Sequence, residues 1–132
     1  MSLTDEERDA VVKYRIEKSM KSFQEAEKVS EICLWNIAAN RLYYAIFYLS
    51  TAILIHKGLS AHTHAGVITM IGLHLVKQEL LTTEDMRLIR KMFSLRQEGD
   101  YEDFVDVSEE EIHEYLPKVQ ALLEKMKSLI TD

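Results

Sequence analysis

The sequence predicts an all-α fold, an up-and-down bundle of four to five antiparallel helices forming one domain over residues 1–132. Three observations carry this expectation. The chain holds only 4 Gly and 1 Pro, too few to punctuate a strand-and-turn architecture. Its hydrophobic residues, 47% of the total, recur at helical spacing rather than in alternation. Ser or Thr followed three residues later by an acid stands ahead of several of these runs, the pattern of a helix N-terminus. A chain of 132 residues with this apolar content can close one sizeable core.

The first helix is expected from about Thr4 to Lys28. Thr4 and Glu7 form a capping box, acids fill the first turn, and Val12, Ile16, Phe23 and Ala26 make one stripe. The second spans roughly Glu31 to Lys57 and stops at Gly58, which suits a C-terminal cap. It is apolar on nearly every face and should be the central helix. Its charge-free window, residues 42–56, contains three tyrosines, Ser50 and Thr51. That is shorter and more polar than the roughly 20 apolar residues a membrane span needs.

A third helix is expected over Thr63 to Gln78, with Val67, Met70, Ile71, His74 and Leu75 on its buried side. Gly66 and Gly72 lie inside it. Each costs about 1 kcal/mol against Ala, so close helix packing is the expected reason for both. The fourth helix starts at Thr82, with Asp85 completing a capping box and Leu81 and Met86 as a hydrophobic staple. It should fray near Gly99. The fifth starts at Ser108 with Glu111 as box partner, and Pro117 should kink or split it.

The net charge of −6 excludes a broad, non-specific nucleic-acid binder, yet the charge is unevenly placed. Arg87, Arg90, Lys91 and Arg96 lie between Met86 and Gln97 with no acid among them. Nine acids and no Lys or Arg follow from Glu98 to Glu114, which reads as a solvated loop and a helix start. Cys33 stands alone in the apolar run ICLW and is expected to be a buried structural thiol. With no intramolecular disulfide and no signal-peptide pattern, the expected compartment is the cytoplasm.

Two places could carry chemistry. In the second helix, Asn36, Asn40 and Tyr44 share a face, flanked by Tyr43 and Phe47, with Arg41 on the neighbouring face beside Tyr48. A guanidinium is costly to bury unless paired. The stripe therefore reads as a buried hydrogen-bond network, a subunit interface or a cleft wall. At the end of the fourth helix, Arg96, Asp100 and Tyr101 come together. They read either as a salt bridge pinning the next loop, which spacing alone favours, or as a small site that orients phosphate through Arg96. His62 and His64 point apart on a helix, so capping of the third helix by His62 or Thr63 is preferred to metal binding. No metal or cofactor is expected, and no Gly-rich phosphate loop, nucleophile elbow or HExxH is present.

Four motifs in order, NRLYYAIFY, THAG, LVKQELLTTEDMR and LRQEGDY, resemble the HEPN domain family over about Glu25 to Leu129. The resemblance implies a bundle of four to five helices, often a homodimer. It also implies a minimal nucleotidyltransferase as partner, in a toxin–antitoxin pair, and a nucleotide or RNA as ligand. Catalytic members are metal-independent ribonucleases whose motif is Arg, with a polar residue directly after it, then a His beyond four to six intervening residues. Arg96 and Gln97 take the first two places. Tyr101 stands where the His belongs, and a phenol with an ordinary pKa of about 10 exchanges protons poorly near neutrality. Some family toxins are silenced by nucleotide transfer onto a Tyr two residues past that His, and Asp103 occupies that place.

The first expectation is therefore a binding module that works with a nucleotidyltransferase and holds nucleotide or RNA through Arg96, Gln97, Asn40, Arg41 and Tyr44. The alternatives are a ribonuclease toxin with a variant site of Arg96, Asp100 and Tyr101, and a non-catalytic structural bundle.

Overall fold

A computed structural model describes residues 3–101 and 106–130, with the backbone alone described from 97 to 101. Five α-helices make up the fold: α1 (Asp5–Glu31), α2 (Trp35–His56), α3 (His64–Ile71), α4 (Thr83–Tyr101) and α5 (Glu109–Ser128). No strand occurs among the described residues.

The starts of α1, α4 and α5 follow from the capping pattern. Thr4 and Glu7, Thr82 and Asp85, and Ser108 and Glu111 each exchange side chain-to-backbone hydrogen bonds, satisfying donors that the helix leaves open. Thr63, rather than His62, caps α3 by accepting from the Gly66 amide.

Helix α2 packs against α1, α3, α4 and α5, and so forms the centre of the bundle. Ala38, Ala39, Ala45 and Ala52 are wholly buried, which lets the neighbouring backbones approach closely. On α1, Ser19 donates to the Ala45 carbonyl at 2.6 Å and Ser22 to the Arg41 carbonyl at 2.7 Å. The opposite order of the paired residues shows that α1 and α2 run antiparallel. Each such bond adds about 0.5–1.5 kcal/mol. The Lys125 ammonium of α5 meets Asp85 at the start of α4, at 2.6 Å.

Several expectations need correction. Helix α1 continues to Glu31, and α2 begins at Trp35, because the chain reverses at Cys33 with φ 63°. Cys33 is exposed rather than buried; it is a turn residue, not a core thiol. A second left-handed residue, Glu79 at φ 63°, ends the third helical segment, whereas Gly58 at φ 77° closes α2 as expected. Helix α3 stops at Ile71 and continues as a π-helical turn, Gly72–Val76.

A Cβ on Gly72 would meet nothing within 4 Å, so close packing does not explain that glycine. One on Gly66 would lie 2.9 Å from Thr63 Oγ1, so the tight contact is with the helix's own cap. Backbone helix runs through Gly99 to Tyr101, and α5 passes through Pro117 unbroken.

Candidate functional site

Three elements meet at one aromatic cluster. Tyr43 and Tyr44 lie together on α2 with Phe47 one turn on, His64 opens α3, and Phe93 and Arg96 project from α4. The His64 ring stacks on Phe47, with centroids 4.3 Å apart and planes 15° apart. Tyr43 is almost fully buried, and its hydroxyl lies 2.7 Å from His64 Nδ1. Phe93 packs 5.6 Å from the Tyr43 ring, and Tyr44 meets His64 edge-on at 5.8 Å.

Arg96 is held against this cluster. Its Nη2 donates to the Tyr44 hydroxyl at 3.1 Å, and its guanidinium carbon lies 5.7 Å from both the Tyr43 and the Tyr44 ring. Arg41 approaches the same tyrosine, 5.2 Å from the ring centre. Arg41 is partly buried and answers its desolvation cost with two partners. Asn40 Oδ1 accepts from its Nε and Nη2 at 3.1 and 2.6 Å, and Glu25 on α1 lies 3.4 Å from its Nη1. Tyr44 thus touches two guanidinium groups, one from its own helix and one from α4.

The electrostatics follow from burial and from Arg96. Burial pushes the Tyr43 phenol well above its ordinary range, opposed in part by Arg96 and aided by Tyr44, so the hydroxyl keeps its proton. Burial lowers the His64 pKa, and the positive charge of Arg96 lowers it further. His64 is consequently neutral near pH 7, and the Tyr43 hydroxyl decides which ring nitrogen carries the proton.

The structure therefore brings Asn40, Arg41, Tyr44 and Arg96 together. Asn36, on the same face of α2, serves elsewhere: it donates to Asp106 at 3.1 Å and accepts from the Val107 amide at 2.8 Å, pinning the approach to α5. The side chains of Gln97, Asp100 and Tyr101, and the whole of Asp103, lie outside the described residues. His64 and Tyr43 are central to the cluster. In the sequence His64 is marked only by its pairing with His62, its place just after the Thr63 cap and the THAG motif. No group of three His, Cys, Asp or Glu side chains among the described residues is arranged to hold a metal ion. No helix among them is long and apolar enough to cross a membrane.

The HEPN domain profile matches residues 12–129, and the chain belongs to the HEPN family. It is 29% identical to a "UPF0332 protein" of Thermotoga maritima over 96% of both chains. It is 30% identical to the Methanocaldococcus jannaschii protein named "Putative toxin MJ0142", over 87% of this chain and 78% of that one. A "UPF0332 protein" of Archaeoglobus fulgidus is 31% identical over 88% of this chain and 92% of its own.

Proposed function

We propose that this chain is the toxin-type member of a pair, a cytoplasmic HEPN homodimer that acts with a minimal nucleotidyltransferase and holds the phosphate of a nucleotide or RNA at Arg96. The observation that carries the reading is the position of Tyr44 between Arg96 and Arg41. A planar guanidinium fork suits phosphate oxygens, and the adjoining aromatic faces suit a base. Toxin names among the relatives, "Putative toxin MJ0142" and "Putative toxin MJ0605", support the toxin side of the reading.

The test is inducible expression of the wild type and Arg96→Ala with and without the nucleotidyltransferase encoded nearest to it, following growth and binding of labelled RNA by the purified proteins. Arrest by the wild type, relief by the partner, and loss of both arrest and RNA binding in Arg96→Ala are the expected results. RNA binding unaffected by Arg96→Ala would overturn the placement of the ligand. Growth unaffected by the wild type would overturn the toxin reading.

A further inference from the structure

The aromatic cluster presents a hydrogen-bond donor that phosphate binding alone does not require. Tyr43 is almost fully buried, and the partner of its hydroxyl among the described residues is His64 Nδ1, at 2.7 Å. A buried hydroxyl places its proton on an acceptor, so Tyr43 donates to Nδ1. Nδ1 then carries the lone pair, and the proton of the neutral imidazole sits on Nε2. Nε2 makes no hydrogen bond with any described residue and is not buried, so its N–H faces solvent or a bound molecule. Stacking of the ring on Phe47, with centroids 4.3 Å and planes 15° apart, fixes the direction of that N–H.

We propose that His64 reads the base of the nucleotide whose phosphate Arg96 holds, donating through Nε2–H to an exocyclic oxygen, so that the site selects uracil or guanine over cytosine or adenine. This rests on the reading of Arg96 as the phosphate-binding group. The spacing suits one nucleotide: the Arg96 guanidinium carbon and the His64 ring centre lie 5.7 and 5.8 Å from the Tyr44 ring centre. Two groups that share so close a neighbour are within the span of a phosphate and its own base.

A base, rather than a second phosphate oxygen, follows from the neutrality of the donor. A histidine that holds phosphate gains from being protonated, because a charged donor binds an anion more strongly. The titratable and charged groups facing His64 among the described residues are Tyr43 and Tyr44 from α2 and Arg96 from α4. None is an acid, and Arg96 opposes a second positive charge, in keeping with the lowered His64 pKa. A neutral N–H suits a neutral carbonyl. Uracil and guanine carry an oxygen where cytosine and adenine carry an amino group, and an amino group there sets donor against donor. His64 cannot turn acceptor to suit it. Nε2 could accept only if Nδ1 took the proton, and the buried Tyr43 hydroxyl would then lose its acceptor. Tyr43 is thus the positioning residue, acting through the tautomer of His64.

The experiment uses the full chain with labelled single-stranded oligo(U) and oligo(C), read by anisotropy near neutral pH, and UMP and CMP as competitors. Wild type is expected to bind oligo(U) roughly three- to tenfold more tightly than oligo(C), the worth of one hydrogen bond. The salt slope should be the same for both, since a base contact releases no counterions. His64→Gln, whose amide both donates and accepts, is expected to bind the two alike; His64→Asn serves if that variant does not fold. A preference for UMP over CMP as competitor assigns the selection to a free nucleotide, and a preference seen only in the strands assigns it to RNA. Nitrogen NMR of the imidazole should find the proton on Nε2, and Tyr43→Phe, which keeps the ring, should move the Nδ1 resonance. Oligo(U) and oligo(C) bound equally by wild type, a preference kept in His64→Gln, or a proton found on Nδ1 overturns the role of His64 and leaves the Arg96 reading standing. An Nδ1 resonance unmoved in Tyr43→Phe overturns the tautomer lock. Neither RNA nor nucleotide bound by wild type overturns both the His64 and the Arg96 readings.

Discussion

Replacing Arg96 by Ala should weaken RNA binding in a way that separates a phosphate contact from a packing effect. The guanidinium donates to the Tyr44 hydroxyl at 3.1 Å and carries the positive charge at the aromatic cluster. A hydrogen bond to a charged group contributes about 1.5–3 kcal/mol, so losing one corresponds to roughly a 10- to 150-fold rise in Kd. The salt dependence is the sharper readout. Each phosphate neutralised on a single strand adds about −0.7 to the slope of log K against log salt, so Arg96→Ala should make that slope shallower by about 0.7. Arg41→Ala should change the slope less, because Glu25 at 3.4 Å already offsets part of the Arg41 charge. Anisotropy titrations across a salt series measure both quantities, with thermal melting to confirm that each variant is folded. A loss of affinity with the slope unchanged would refute direct phosphate contact, because it would mean that Arg96 acts by holding the tyrosines in place.

Three further outcomes follow from the same geometry. Removing Arg96 should raise the His64 pKa toward its ordinary value, since one of its two lowering influences disappears while burial remains; an NMR titration of the imidazole in Arg96→Ala reads this, and an unchanged pKa would contradict it. The sign for stability is fixed too: a histidine depressed in the fold contributes fully above its unfolded pKa, and that contribution is lost as pH falls through the folded value. Asp85→Ala should cost about 1–2 kcal/mol at neutral pH through loss of the cap on α4 and the pair with Lys125. Burial alone would raise the Asp85 pKa, but hydrogen bonds from Lys125 and Thr82 bring it below the ordinary value, so the wild type's advantage over the variant should fade as pH drops through that lowered pKa; urea titrations at several pH values check it. Cys33→Gly should stabilise the fold by about 0.5–1 kcal/mol, because an exposed side chain at φ 63° loses strain and no packing, and a lower melting temperature would count against that account.

The parts of the fold legible in the sequence are those set by local chemistry. Thr4 with Glu7, Thr82 with Asp85 and Ser108 with Glu111 each declare a helix start within four residues, and each start is observed. Helix ends were harder to read where the signal residue was unusual. Gly58 announced the end of α2, but Cys33 and Glu79 do the same work without being glycine, so the reversal between α1 and α2 was hidden. Pro117 misled in the other direction. It lies nine residues into α5, beyond the first turn where Pro is harmless, yet the helix continues through it.

The site divides along the same line, and the division bears on how its chemistry should be sought. Tyr44 and Arg96 stood out because each is a polar or charged group inside an apolar pattern, and the structure joins them across 52 positions of chain. His64 stood out only beside His62 and within THAG, because its place in the cluster depends on Tyr43, 21 residues away, and on Phe47, neither of which marks a histidine as special in a linear reading. The sequence offered Tyr101 in the place where the resemblance calls for a histidine, and on that ground catalysis looked compromised. Proton transfer, however, requires an imidazole within reach of the phosphate, not one at a given distance along the chain. His64 on α3 shares the aromatic cluster with Arg96, so this site carries an imidazole although Tyr101 takes the motif place.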